Sequence, residues 1–127
     1  MQLLVIADDF TGALDTGIQF ARHGIATTLF LSDALTAGLL ADCQADVVVA
    51  DTESRHLPPE DAAARGRAVT RLAKAAGCPV FYKKIDSTLR GNLGAELAAM
   101  QDVCGAKRLW FAPAYPALGR TTRNGTQ

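Results

Sequence analysis

Short runs rich in Val, Ile, Leu and Phe alternate along this chain with stretches of helical period, and no other feature restricts its fold as much. The strand-like runs are Leu3–Ala7, Thr27–Leu31, Asp46–Ala50, Pro79–Tyr82 and Arg108–Ala112. After the first run, Leu14, Ile18 and Ala21 share one helical face and Gly24 supplies a stop. Pro59 and Glu60 open another helix with apolar positions at Ala62, Val69, Leu72 and Ala76, ended by Gly77. Leu93, Leu97, Met100 and Cys104 line a further one, closed by Gly105. A short helix over Asp33–Ala41 is weakened by Thr36 and Gly38. Strands alternating with helices imply βαβ units around a parallel sheet, and continuously apolar strands fit burial on both faces. The fold class expected is α/β: a doubly wound, Rossmann-like open sheet, mainly parallel, of about five strands with helices on both faces. Trp110 is expected in the core, on the fifth strand.

A chain of 127 residues is one domain's worth. Thirteen basic and thirteen acidic residues cancel, and no basic run appears, so the charge footprint of a nucleic-acid binder is missing. No apolar run approaches the roughly 20 residues that span a bilayer, and Met1-Gln2 leads into a β-like run without a signal peptide's basic flank. Cys43, Cys78 and Cys104 are widely spaced in Ala-rich segments and form no C-x-x-C pair. They read as buried free thiols rather than a disulfide framework or a zinc site, in a protein of the cytoplasm. No metal site is expected.

In an open parallel sheet, ligands bind at the carboxyl ends of the strands. Four polar loops fall there. The first holds Asp8, Asp9, Thr11 and Gly12, and the second runs Asp51-Thr52-Glu53-Ser54-Arg55. The third extends from Lys83 and Lys84 through Asp86, Ser87, Thr88 and Arg90 to Gly91 and Asn92. The last contains Tyr115, Gly119, Arg120, Arg123, Asn124 and Gly125. One carboxylate suffices to cap the helix after the first strand, and Asp8-Asp9 offers two. The second is free to accept substrate hydroxyls, or to act as base toward an alcohol that attacks phosphorus. Lys83, Lys84 and Arg90 bracket hydroxyls and Asp86 ahead of a helix start, a receptor for a carboxylate or phosphate. Arg55 suits a surface salt bridge and an anion contact equally. Arg120 and Arg123 suit a mobile loop closing over an anion, or exposed tail positions. Neither G-x-x-x-x-G-K-[ST] nor G-x-G-x-x-G follows a strand, so no nucleotide motif is present. His23 fits a helix C-terminus, and neither histidine has a catalytic partner in sequence.

Three stretches resemble one family. Ala7-Asp8-Asp9-Phe10-Thr11-Gly12-Ala13 with Asp15 is similar to the opening of the four-carbon acid sugar kinases. Lys83 through Asn92 with Gly94 and Glu96, and Ala112-Pro113-Ala114 through Gly125, resemble two further signatures, and Asp51–Arg55 a shorter one. The resemblance implies a two-domain, ATP-dependent enzyme that phosphorylates the terminal hydroxyl of erythronate, threonate or 3-oxo-tetronate. Its N-terminal domain would hold the sugar acid and its C-terminal domain ATP, with Mg²⁺ arriving on the nucleotide. Residues 1–127 would form the front of the sugar-binding domain as a single unit. The ATP-binding domain is absent from this chain, which stops inside a polar loop, so the isolated fragment is expected to be inactive. The implied site comprises Asp8 and Asp9 as catalytic candidates. Thr11, Gly12, Arg55, Lys83, Asp86, Ser87, Arg90, Gly91, Asn92, Arg120 and Asn124 would bind substrate. Arg90, assisted by Arg55 or Lys83, would meet the carboxylate. Two other readings share the topology: a non-catalytic small-molecule-binding module, and a phospho-receiver domain with Asp51 as acceptor.

Overall fold

The computed structural model describes residues 1–31 and 33–127. In chain order these form β1 (Leu3–Ala7), α1 (Phe10–Arg22), β2 (Thr27–Leu31), α2 (Ala37–Asp42) and β3 (Val47–Asp51). Then come α3 (Pro59–Ala75), β4 (Val80–Lys84), α4 (Leu93–Cys104) and a 3₁₀ turn at Pro116–Leu118. The strands build one all-parallel sheet in the order β2-β3-β1-β4. In register, Ala7 at the end of β1 stands between Asp51 of β3 and Lys84 of β4.

Strand parity decides which side chains meet which helices, because successive residues point to opposite faces. Leu4, Ile6, Val48 and Ala50 pack with Leu40 of α2, Val69 and Ala73 of α3, and Met100 of α4. Val5, Ala7, Val47 and Val49 pack with Ala13 of α1 on the other face. The sheet is doubly wound: among the described residues α1 covers one face, and α2, α3 and α4 cover the other. The loop after β1 therefore departs to one side, whereas those after β3 and β4 depart to the opposite side. That reversal opens a crevice at the carboxyl ends of the strands.

Local signals fix the helix ends. Asp9 caps α1, its Oδ1 accepting from the Gly12 amide at 3.1 Å. Pro59 starts α3, with Glu60 and Asp61 in the first turn and Lys74 in the last, as the helix dipole favours. Gly105 ends α4 with φ 68°. Thr36, which lowers helix propensity in an interior, is instead the N-cap of α2, so that helix begins four residues later than its sequence suggests. Cys78 is buried, Cys43 and Cys104 are partly exposed, and all three thiols are free.

Three expectations need correction. Arg108–Ala112 is not a fifth strand, and Trp110 is 92% exposed. The face of β4 that shares α1's side of the sheet is largely bare, with Val80 53% and Tyr82 49% exposed. A strand beyond β4 would keep one apolar face in water there, and β-propensity alone does not hold such a strand. Finally, α1 turns Gly12, Ala13 and Gly17 to the sheet and leaves Leu14 and Ile18 about half exposed. Its small residues, rather than its large ones, mark the packing face.

Candidate functional site

The loop following β1 carries Asp8 and Asp9, and the loop following β3 folds over it. Three backbone bonds tie the two together: Thr52 N to Ala7 O at 2.9 Å, and Ser54 N and Arg55 N to Asp8 O at 3.0 and 3.2 Å. This places the Arg55 guanidinium against both acids. Nε and Nη2 donate to the two Asp8 oxygens at 2.8 and 3.0 Å, and Nη1 donates to Asp9 Oδ2 at 2.8 Å. Asp8 is completely buried, and the Arg55 side chain is 11% exposed. Hydrogen bonds to Asp8 and the charge of both acids hold Arg55 above the ordinary arginine range. With no exposed surface, Asp8 presents neither oxygen to the crevice. Asp9, with its side chain 27% exposed, lines it. Gly91, at φ 92°, packs directly on this pair; a Cβ there would lie 2.8 Å from Asp8 Oδ2.

Parity separates the two adjacent lysines of β4. Lys83 pairs with Ile6 in register and points beneath α4, where its Nζ lies 3.1 Å from Glu96 Oε1. Both side chains are at least 98% buried. Ser54 Oγ donates to the same Glu96 oxygen at 2.6 Å, while Thr52 Oγ1 donates to Ala7 O at 2.8 Å. Among the described residues no donor reaches Glu96 Oε2. Lys83 is thus part of a buried framework under the β3–α3 loop. Lys84 points to the opposite face and lines the crevice.

The turn after β4 is organised around Asp86. Arg90 gives Nε and Nη2 to its two oxygens at 3.0 and 2.7 Å, and the Thr88 amide and hydroxyl also donate to Oδ2. These bonds, Arg90 foremost, hold the Asp86 carboxyl far below the usual carboxylate range. Arg90 itself is 66% exposed, and Asp86 raises its pKa. Asn92 spends its amide donors on Ser54 O at 3.0 Å and Leu57 O at 2.8 Å, strapping the loop after β4 to the loop after β3.

A third wall comes from the C-terminal segment. Arg120 Nη1 donates to Ser87 Oγ, and Gln127 Nε2 reaches Ser87 O at 3.2 Å. Together these parts enclose a cleft of about 1180 Å³ running from the N-terminus of α1 along the bare face of β4. Asp9, Thr11, Gly12, Arg55, Asp86, Ser87, Arg90 and Arg120 line it, along with Lys84 and Tyr115. Asp8, Lys83, Gly91 and Asn92 support the walls from behind. Asn124 sits in an exposed turn at φ 50°, and the cleft lining does not include it.

Asp51, at the end of β3, is 1% exposed, with Oδ1 accepting from Glu53 N at 3.0 Å and Oδ2 lacking a partner among the described residues. Burial, reinforced by Glu53 and Asp9, pushes its carboxyl up to about 6. A phospho-receiver needs its acceptor open to solvent, and this one is sealed. Nor do the donors fit a resident Mg²⁺. Asp8 and Asp9 both aim at Arg55, and among the described residues no three His, Cys, Asp or Glu side chains converge on a metal position. None of the described helices is long and apolar enough to cross a membrane.

Residues 3–127 match the family described as the sugar-binding N-terminal domain. A D-threonate kinase from Salmonella typhimurium is 45% identical over 98% of this chain and 29% of its own length. A D-erythronate kinase from Heliobacterium modesticaldum is 42% identical over 97% of this chain and 28% of its own. A 3-oxo-tetronate kinase from Burkholderia multivorans is 35% identical over 94% and 28%, respectively. This chain thus spans under a third of the curated relatives it matches. In the crystal structure of a Bordetella bronchiseptica domain of unknown function, solved with bound citrate as a domain-swapped dimer, the corresponding fold superposes with a TM-score of 0.73. That protein is 42% identical, over 81% of this chain and 26% of its own.

Proposed function

The chain belongs to the sugar-binding N-terminal domain family, and from that premise we propose that it forms the acceptor-binding part of a kinase for four-carbon sugar acids. The full reaction would transfer the γ-phosphoryl group of ATP to the terminal hydroxyl of a threonate, an erythronate or a 3-oxo-tetronate, the substrates in its relatives' names. A nucleotide-binding domain beyond residue 127 would supply ATP, and Mg²⁺ would arrive on the nucleotide phosphates. Such an enzyme would act in the cytoplasm.

The observation that carries this reading is the composition of the cleft at the strand ends. It offers cations for a carboxylate and, within the same walls, Asp9, Thr11 and Ser87 for hydroxyls. A sugar acid presents both kinds of group within four carbons. Of the two adjacent acids, Asp9 is the one to receive a substrate hydroxyl, since Asp8 is enclosed by Arg55. Arg55, Lys83, Gly91 and Asn92 act by holding these loops in place. Arg120 and Ser87 connect the C-terminal wall to the β4 loop and would fix the acceptor's orientation before a second domain closes.

Calorimetric titration of the folded chain with D-threonate, D-erythronate and 3-oxo-tetronate, against ATP–Mg²⁺, tests the reading. Saturable binding of a tetronate with none of the nucleotide is expected. Nucleotide binding, or no tetronate binding by a chain shown to be folded, would overturn it.

A further inference from the structure

Four cationic side chains line the cleft: Arg55, Lys84, Arg90 and Arg120. Two are already paired with carboxylates: Arg55 is divided between Asp8 and Asp9, and Arg90 lays its fork on Asp86 in the open. Arg120 and Lys84 are not; Arg120 gives an N–H to the Ser87 hydroxyl, on the wall formed by the C-terminal segment. Lys84 is the one beside Gly12. Its Nζ donates to the neighbouring Ile85 carbonyl at 2.8 Å and, among the described residues, has no carboxylate within ion-pair distance. An ammonium has three donors, so two remain for a ligand.

The position of that ammonium is informative. A Cβ built on Gly12 would lie 2.6 Å from Asp9 Oδ1 and 3.4 Å from Lys84 Nζ. A carboxylate oxygen and an uncompensated cation therefore flank one bare glycine at the head of the cleft. A 2-hydroxy acid matches that pair, its carboxylate toward the ammonium and an adjacent hydroxyl toward the aspartate. Lys83 cannot serve, because strand parity buries it against Glu96 on the far face.

We propose that Lys84 is the residue that binds the substrate's carboxylate, with Asp9 taking a neighbouring hydroxyl across Gly12. This rests on the sugar-acid reading above and names the group that makes the site select acids over neutral polyols. Arg90, bound to Asp86, keeps the turn after β4 in shape.

The test compares each tetronate with its primary amide, the same molecule without the charge, in titrations of wild-type chain, Lys84→Met, Lys84→Arg and the surface control Lys107→Met. A charge-assisted contact predicts that wild type prefers acid to amide about tenfold or more. Lys84→Met should lose far more acid than amide binding, bringing the two close to equal, with an unchanged far-UV circular dichroism spectrum showing that the variant is folded. Lys84→Arg should keep part of the preference, and Lys107→Met all of it. Undiminished acid preference in Lys84→Met would overturn the role of Lys84 and leave the sugar-acid reading standing. Failure of the wild-type chain to bind any tetronate would overturn both.

Discussion

Replacing Arg55 by Met leaves Asp8, which has no solvent exposure, beside Asp9 and without an ion-pair partner among the described residues. Pairs buried to this degree are not strongly stabilising when compared with well-packed apolar replacements, but removing one partner strands the other. Breaking such a pair costs about 3–5 kcal/mol, and three donors to two acids place Arg55→Met at the upper part of that range. Against a total of roughly 5–15 kcal/mol for a domain, this is a large fraction of the stability. The stranded charge, rather than lost packing, is the claimed cause, and a double-mutant cycle isolates it. Asp8→Asn in the Arg55→Met background removes the unpaired charge, so the double variant should recover about 2 kcal/mol relative to Arg55→Met alone. Urea unfolding followed by far-UV circular dichroism is the suitable assay, because Trp110, the single tryptophan, is 92% exposed and reports poorly on the core. Additive losses in the double variant, or an Arg55→Met cost below about 1 kcal/mol, would refute the account.

Two further outcomes follow from the same loops. Asp51 titrates near 6 in the folded chain, above its ordinary 3.8, so the native state holds a proton that the unfolded state has released. Stability from this group is thus full below pH ~4 and lost as pH rises through ~6; Asp51→Asn should gain on the order of 2 kcal/mol at pH 7.5 and nothing at pH 3.5, and parallel unfolding curves for the two proteins would contradict this. Gly91→Ala forces a side chain into φ 92° and against Asp8 Oδ2, which should cost about 2 kcal/mol or more. Gly24→Ala, at φ 76° with nothing within 4 Å of the new Cβ, should cost about 1 kcal/mol by thermal unfolding, and equal losses would show that contact with Asp8 is unimportant.

Much of the architecture could be read from the sequence because its signals are local. β1 and β2 begin and end where their apolar runs do, and α3 and α4 stop at their glycines. The errors arose where the outcome depends on what lies across from a residue. Thr36 weakens a helix interior but starts one as a cap, and only the position of the first turn separates those roles. Leu14 and Ile18 carry the periodic apolar signal in α1, yet the helix packs through Gly12, Ala13 and Gly17. The run at Arg108–Ala112 has strand composition but no covered face on the α1 side to occupy.

The site shows the same division. That polar loops would gather at the strand ends follows from topology alone, and those after β1, β3 and β4 do gather there, whereas the last follows α4 rather than a strand. Assigning each side chain its part needs the register, and Lys83-Lys84 is the clearest instance. Two identical residues in succession occupy opposite faces of β4, so one is fixed to Glu96 and the other opens onto the cleft. Composition does not distinguish them, but the alternation of the strand does: once Ile6 is assigned to the α3–α4 core, Lys83 opposite it must be buried and Lys84 must face the α1 side. The Asp8-Asp9 pair divides by the same logic. Asp8 faces Arg55, a residue 47 positions away in sequence, and becomes the counter-charge of a loop. Asp9 caps α1 and keeps one edge in the cleft. In both pairs one member builds the scaffold and its neighbour lines the cleft. A buried charged partner thereby holds each cleft-lining residue's own loop or strand in place, which loosely anchored polar loops could not do.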